Sequence, residues 1–122
     1  NVPGASEYFV GGVIAYSNEV KKDVLGVLAE TLDTFGSVSR QTVCEMAVGV
    51  RNRFGADIGM SVTGILGPGG GSKEKPVGTV WLGISSQKST SAVKLCLGKD
   101  RIRNKERAST AALNLIRTTL LK

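Results

Sequence analysis

Histidine is absent from all 122 residues, and cysteine, proline and aromatic residues are scarce: two cysteines, three prolines, three phenylalanines, two tyrosines and one tryptophan. Without histidine there is no Ser-His-Asp or Cys-His catalysis. Two separated cysteines cannot close a tetrahedral zinc shell, so neither a metal nor another cofactor is expected. Cys44 falls in an apolar helix pattern and Cys96 in an apolar strand pattern. That predicts buried free thiols in a reducing compartment rather than a disulfide. No apolar run approaches the roughly 20 residues that a membrane-spanning helix needs. Asn1–Ser6 lacks the basic end and apolar stretch of a secretory leader. A cytoplasmic protein without a membrane partner is therefore expected.

What is present reads as one soluble globular domain over residues 1–122, with 41% hydrophobic and 21% charged residues. Sixteen lysines and arginines against ten acidic residues leave a net charge of +6, which points to an anionic ligand or a polyanionic partner. With so few aromatics there is little to stack unpaired bases, which counts against nucleic acid.

Tyr8-Phe9-Val10-Gly11-Gly12-Val13-Ile14-Ala15 is apolar or small throughout, as in a strand buried on both faces, and predicts a strand over about 8–16. Asn1 to Ser6 reads as a loop leading directly into it. Such a strand needs a neighbour, so the reading expects the later part of a domain whose opening strand and helix are missing. Ser17 or Asn18 then caps a helix running to Leu25 and ended near Gly26. Lys21 falls in its first turn, where the helix dipole disfavours a cation and lowers the amine's pKa. Partial burial would lower it further and suit a base acting near neutral pH. A solvated surface lysine is the other reading of the same residue.

Val27 to Phe35 is weakly patterned and closes at Gly36. Ser39 caps a stronger helix in which Val43, Met46, Ala47, Val50 and Phe54 recur at helical spacing, with Gly55 as its left-handed exit. Ala56 to Thr63 alternates Ile58, Met60 and Val62 as a strand. The residues from Gly64 to Pro76 form a glycine-rich loop. Val77–Ser85 and Ser91–Leu97 form a hairpin, and Asp100 caps a last helix to about Leu121 with Ala108, Ala111, Ala112, Leu115, Ile116 and Leu120 as its buried stripe. This order predicts an α/β fold, a three-layer α/β/α sandwich with a mixed sheet.

Two places can hold a ligand. The glycine loop follows the carboxyl end of a strand, where open α/β sheets bind their ligands, and Thr63 offers a hydroxyl at its start. Gly67-Pro68-Gly69-Gly70-Gly71-Ser72 fits neither the dinucleotide fingerprint nor a P-loop, and a strand follows it instead of a helix. It can let backbone approach a ligand closely, or be only a flexible connection. The second place is Arg101, Arg103, Lys105 and Arg107, cations crowded at the positive end of the last helix, where a phosphate would gain from free amides and guanidinium groups together. A solvated basic face is the alternative.

These stretches together resemble the CinA carboxy-terminal domain, the family of nicotinamide-nucleotide amidases also called PncC. The resemblance rests on Pro3-Gly4-Ala5-Ser6, Gly11 to Lys21, Leu25-Gly26-Val27, Val62 to Gly70 and Lys75 to Val80. It covers essentially the whole chain. It implies hydrolysis of nicotinamide mononucleotide to nicotinate mononucleotide and ammonia, in pyridine nucleotide salvage and without a metal. By position it makes Ser6 the nucleophile, Lys21 its base and Tyr16 an assisting group. Thr63, Gly64, Gly67, Gly69 and Gly70 would line the substrate, and Arg103 would hold its phosphate. The chain departs from the family at its start, where the Glu-Ser-Cys-Thr-Gly-Gly motif is not found, and at Asn104 and Lys105, where acidic residues are frequent. A non-catalytic nucleotide-binding module and a competence-associated nucleic-acid-binding module are the alternatives. An incomplete sheet with buried-looking strands also predicts a homo-oligomer.

Overall fold

A computed structural model describes residues 10–11, 18–65 and 69–120. Chain order is β1 (Val10–Gly11), α1 (Asn18–Asp23), α2 (Ala29–Phe35), α3 (Arg40–Phe54), β2 (Ile58–Gly64), β3 (Thr79–Ser86), β4 (Thr90–Cys96) and α4 (Arg101–Leu120). The strands form one four-stranded sheet in the order β1-β2-β3-β4. β1 runs parallel to β2, and the other two pairings are antiparallel. The sheet is mixed, as its sequence order predicts. The remainder of the strand expected over 8–16 lies outside the described residues.

α3 is the element that the layers share. Ser39 caps it by accepting a hydrogen bond from the Thr42 amide (3.1 Å), and Gly55 closes it in the left-handed region. Its buried positions Thr42, Val43, Met46, Ala47 and Val50 recur at helical spacing. Met46 and Val50 pack with Leu25 and Val27 from the α1–α2 connection. On its other side α3 lies on the sheet at backbone distance. A Cβ on Gly59 would stand 2.2 Å from the Ala47 carbonyl oxygen, and one on Gly83 would stand 2.4 Å from that of Val43. Between them Ser61 Oγ donates to the Val43 carbonyl at 2.6 Å.

The apolar face of β2 is not its more buried one. Of the alternating Ile58, Met60 and Val62, Ile58 is buried and Met60 half-buried but Val62 is 41% exposed, while Gly59, Ser61 and Thr63 on the other face are all buried. Small residues make the closer-packed face here because they admit a helix backbone, which larger apolar side chains would hold off.

α4 covers the opposite face. Ala108 is buried against Val80 and Leu82, with Ala111, Ala112, Leu115, Leu95 and Leu97 half-buried around them. Two α-helical layers therefore enclose the sheet, giving the α/β/α arrangement. Ile116 is half-buried, and the side chain of Leu120 lies outside the described residues. The β3–β4 hairpin turns through Gln87, Lys88 and Ser89, tighter than the five-residue link expected, because Ser86 and Thr90 join the strands. β4 lies at one edge of the described sheet, and its burial falls accordingly. Cys96 on it is a free, exposed thiol rather than a buried one, whereas Cys44 is free and half-buried, and burial raises its pKa.

The close approach of α3 predicts a steep penalty for one methyl group. Gly83→Ala should lower unfolding free energy by about 2–3 kcal/mol in urea denaturation, since overpacking against backbone has no side chain to yield. Gly98→Ala, where a Cβ meets nothing within 4 Å, should stay within about 0.5 kcal/mol of the parent.

Candidate functional site

Antiparallel pairing brings several ends to one side of the molecule. The carboxyl end of β2 pairs with the start of β3, which pairs with the end of β4, from which the chain enters α4. The first turn of α3 reaches the same end, because Arg40 lies over Trp81 of β3. Thr63, Gly64, the glycine loop and the opening of α4 thus share one rim of the sheet. Thr63 and Arg103 come from opposite layers, since Thr63 faces α3 and Arg103 begins α4.

Thr63 is buried, and its hydroxyl donates to the Ser37 carbonyl at 2.7 Å. Its proton is therefore committed, and what it offers a ligand is a lone pair. Gly64 is squeezed against β3, where a Cβ would meet the Val80 side chain at 2.8 Å. Gly70 takes φ +92°, a region that favours glycine, while Gly69 has open space where a Cβ would stand. Gly67 lies outside the described residues. The loop is anchored beyond its tip: Lys75 Nζ donates to the Phe35 carbonyl at 2.6 Å, and the Ser72 amide donates to the Lys75 carbonyl at 2.9 Å.

Lys21 is only 6% exposed. The solvated-lysine reading is therefore overturned. Its neighbourhood differs from expectation in another respect, because α1 has six residues and Lys21 belongs to its last turn, not to a long helix's positive end. The dipole does not lower its pKa. Burial does, by disfavouring the charged amine. The α1 end is closed by the Val27 amide, which donates to the Lys21 carbonyl at 2.9 Å, and Leu25 follows directly into the α3 core. Lys21 is thus held by the same packing that seats α3.

Arg103 is exposed at the start of α4. Asp100 Oδ1 accepts from the amides of Ile102 (3.0 Å) and Arg103 (3.2 Å), so these two amides are not free for an anion as expected. What remains for one is the cationic side chains. Asn104, one of the departures from the family, is buried, and its Nδ2 donates to the Gly98 carbonyl at 2.7 Å. It joins the β4–α4 connection to the helix. Ser6 and Tyr16 lie outside the described residues.

One feature of this rim escaped the sequence. Trp81 sits in a row across the sheet between Thr63 and Lys94, with the Arg40 guanidinium 5.4 Å and the Lys94 ammonium 5.9 Å from its ring centroid. The available signal was Trp81 itself, the single tryptophan, at alternating register with Thr79 and Gly83.

The CinA C-terminal domain family matches residues 1–120. The chain belongs to that family. A CinA-like protein of Kosmotoga olearia is 51% identical over 121 residues, which make up 99% of this chain and 29% of that protein. A CinA-like protein of Cytophaga hutchinsonii is 47% identical over 120 residues, 98% of this chain and 29% of that one. The chain spans less than a third of the length of these curated relatives. Among solved structures, the competence/damage inducible protein CihA of Agrobacterium tumefaciens superposes with a TM-score of 0.81 at 42% identity, covering 84% of this chain and 63% of that one. The competence damage-inducible protein A of Klebsiella pneumoniae gives 0.85 at 36% identity, covering 90% and 68%. This CinA domain therefore shares its α/β fold with them. No helix among its described residues is long and apolar enough to cross a membrane.

The buried amine of Lys21 carries a pH signature. Below its lowered folded pKa both states hold the proton, and the fold bears the full desolvation penalty. Between that value and the ordinary 10.5, the unfolded chain holds a proton that the folded one has shed, so stability rises with pH. Urea midpoints of the parent should therefore gain on those of Lys21→Met as pH climbs toward 10.5. Parallel midpoints across that range would show an amine as well solvated in the fold as outside it.

Proposed function

We propose that this CinA domain hydrolyses the amide of nicotinamide mononucleotide to nicotinate mononucleotide and ammonia, by a serine nucleophile and a lysine base. The observation that carries the reading is the burial of Lys21 in a chain without histidine. A lysine biased toward its neutral form can do what histidine does elsewhere, accepting a hydroxyl proton and returning it to a leaving group.

In this reading Ser6 attacks the amide carbon, and its proton passes to Lys21 Nζ. Collapse of the tetrahedral intermediate breaks the C–N bond, and the Lys21 ammonium gives its proton to the departing nitrogen, releasing ammonia. Water then attacks the Ser6 ester, again losing a proton to Lys21, Ser6 recovers that proton as the ester bond breaks, and the acid leaves as carboxylate with its remaining proton passing to ammonia or solvent. Tyr16 assists the proton transfers. Ser6 and Tyr16 take these roles from the family resemblance. Thr63 can only accept from the substrate while it donates to Ser37, which suits a ribose hydroxyl or the amide N–H₂. Gly64, Gly67, Gly69 and Gly70 line the nucleotide by the family resemblance, Gly69 with open space where a side chain would stand, and Arg103 contributes a guanidinium to its phosphate without help from the amides that Asp100 occupies. The substrate is a small-molecule nucleotide, and no metal takes part.

Incubation with nicotinamide mononucleotide, followed by chromatography and an ammonia assay, tests the reading. Lys21→Ala should lower turnover by about 10²–10⁴-fold with an unchanged circular dichroism spectrum. Because the base works unprotonated, kcat/KM should rise with pH as Lys21 sheds its proton and level off above its lowered pKa. Undiminished turnover in Lys21→Ala would refute its role. Mononucleotide binding without ammonia release would turn the assignment to a non-catalytic nucleotide-binding module.

A further inference from the structure

Two cations from different elements converge on one indole ring. Arg40 comes from the first turn of α3, and Lys94 from the β4 position directly paired with Trp81. Each is attracted to the ring face. Yet one cation would serve the ring, and two brought to the same small surface repel each other. Among the described residues neither has an ion pair with a carboxylate to offset that repulsion.

Both open onto a cavity of about 410 Å³. Phe35, Glu74 and Lys75 line it together with Arg40, Trp81 and Lys94. Three basic groups thus face the single carboxylate of Glu74. Lys75 uses one of its three ammonium hydrogens on the Phe35 carbonyl and keeps two. The volume falls within the roughly 300–1,000 Å³ range of small-molecule pockets. Thr63 neighbours Trp81 in the sheet but does not line this cavity, and Arg103 belongs to the opposite layer.

We propose that this groove is a second ligand site, which binds a phosphate-bearing small molecule. The phosphate oxygens lie between the Arg40 guanidinium and the Lys94 ammonium, with Lys75 at the side and Trp81 as the floor. A phosphate suits the pair better than a lone carboxylate, because its two charges and three terminal oxygens engage both cations at once, and arginine can meet two of those oxygens with a fork of parallel donors. Glu74 sets a limit at one side, turning away ligands that carry negative charge along their whole length. The site does not depend on amide hydrolysis.

Trp81 is the only tryptophan, so emission excited at the red edge of the absorption band, beyond the two tyrosines, reports on this groove. Titration with inorganic phosphate and with pyrophosphate, at ionic strength fixed by sodium chloride and with calorimetry in parallel, should give saturable curves, pyrophosphate the tighter. Arg40→Gln and Lys94→Ala should each weaken binding at least tenfold, with circular dichroism confirming the fold. Arg103→Ala should leave it unchanged. A signal that rises linearly and matches sodium chloride alone would overturn the site. So would loss of binding in Arg103→Ala with retention in Arg40→Gln, which would place the anion at the substrate position instead.

Discussion

The hydrogen bond from Ser61 to the Val43 carbonyl marks the contact on which the rest of the structure depends, the seating of the α3 backbone on the sheet. Gly59 and Gly83 make room for it on either side. Because the helix cannot rise or slide without breaking that fit, its ends become fixed points. Its first turn delivers Arg40 to Trp81, and its far end places Arg51 so that a guanidinium nitrogen donates to the Ser86 carbonyl at 2.8 Å. Its outer side receives Leu25 and Val27, and the Val27 amide holds the Lys21 carbonyl, which ties the end of α1 to the same seating.

The turn before α3 transmits this rigidity toward the glycine loop. The Gly36 carbonyl accepts from both Ser39 Oγ (3.0 Å) and Thr42 Oγ1 (2.6 Å), and the adjacent Phe35 carbonyl accepts from Lys75. Thr63 reaches the same turn through Ser37. A single bend of backbone thus gathers side chains from α3, from the end of β2 and from the loop. Glu45 does comparable work on the other flank, its two oxygens accepting from the Leu28 amide and the Thr31 hydroxyl and so fixing α2 to α3.

Much of the fold was legible because its signals are local. Ser39, Gly55 and Asp100 act where short polar side chains and glycine must act, and the helix and hairpin periods follow. Burial across the sheet was not legible, since Gly59, Ser61 and Thr63 carry no hydrophobic signal and matter through what they leave out. Cys96 misled for the complementary reason: an apolar pattern says nothing about whether a strand has a neighbour. At the candidate site, Lys21 was found by its odd placement, but the dipole argument failed because α1 is too short, and burial alone lowers its pKa. The Trp81 groove needs three elements to meet, and no single stretch announces it.

β2, β3 and β4 are neighbours in sequence as well as in the sheet, whereas β1 reaches β2 only across α1, α2 and α3. Closing the short loops costs little chain entropy, and closing the long one costs more. The antiparallel half is therefore the cheaper part to assemble, a platform formed by nearby segments of chain. The parallel edge is the part whose closure waits on everything between, so loosening α3 by heat or mutation would cost β1 its place beside β2 before it unpaired the hairpin.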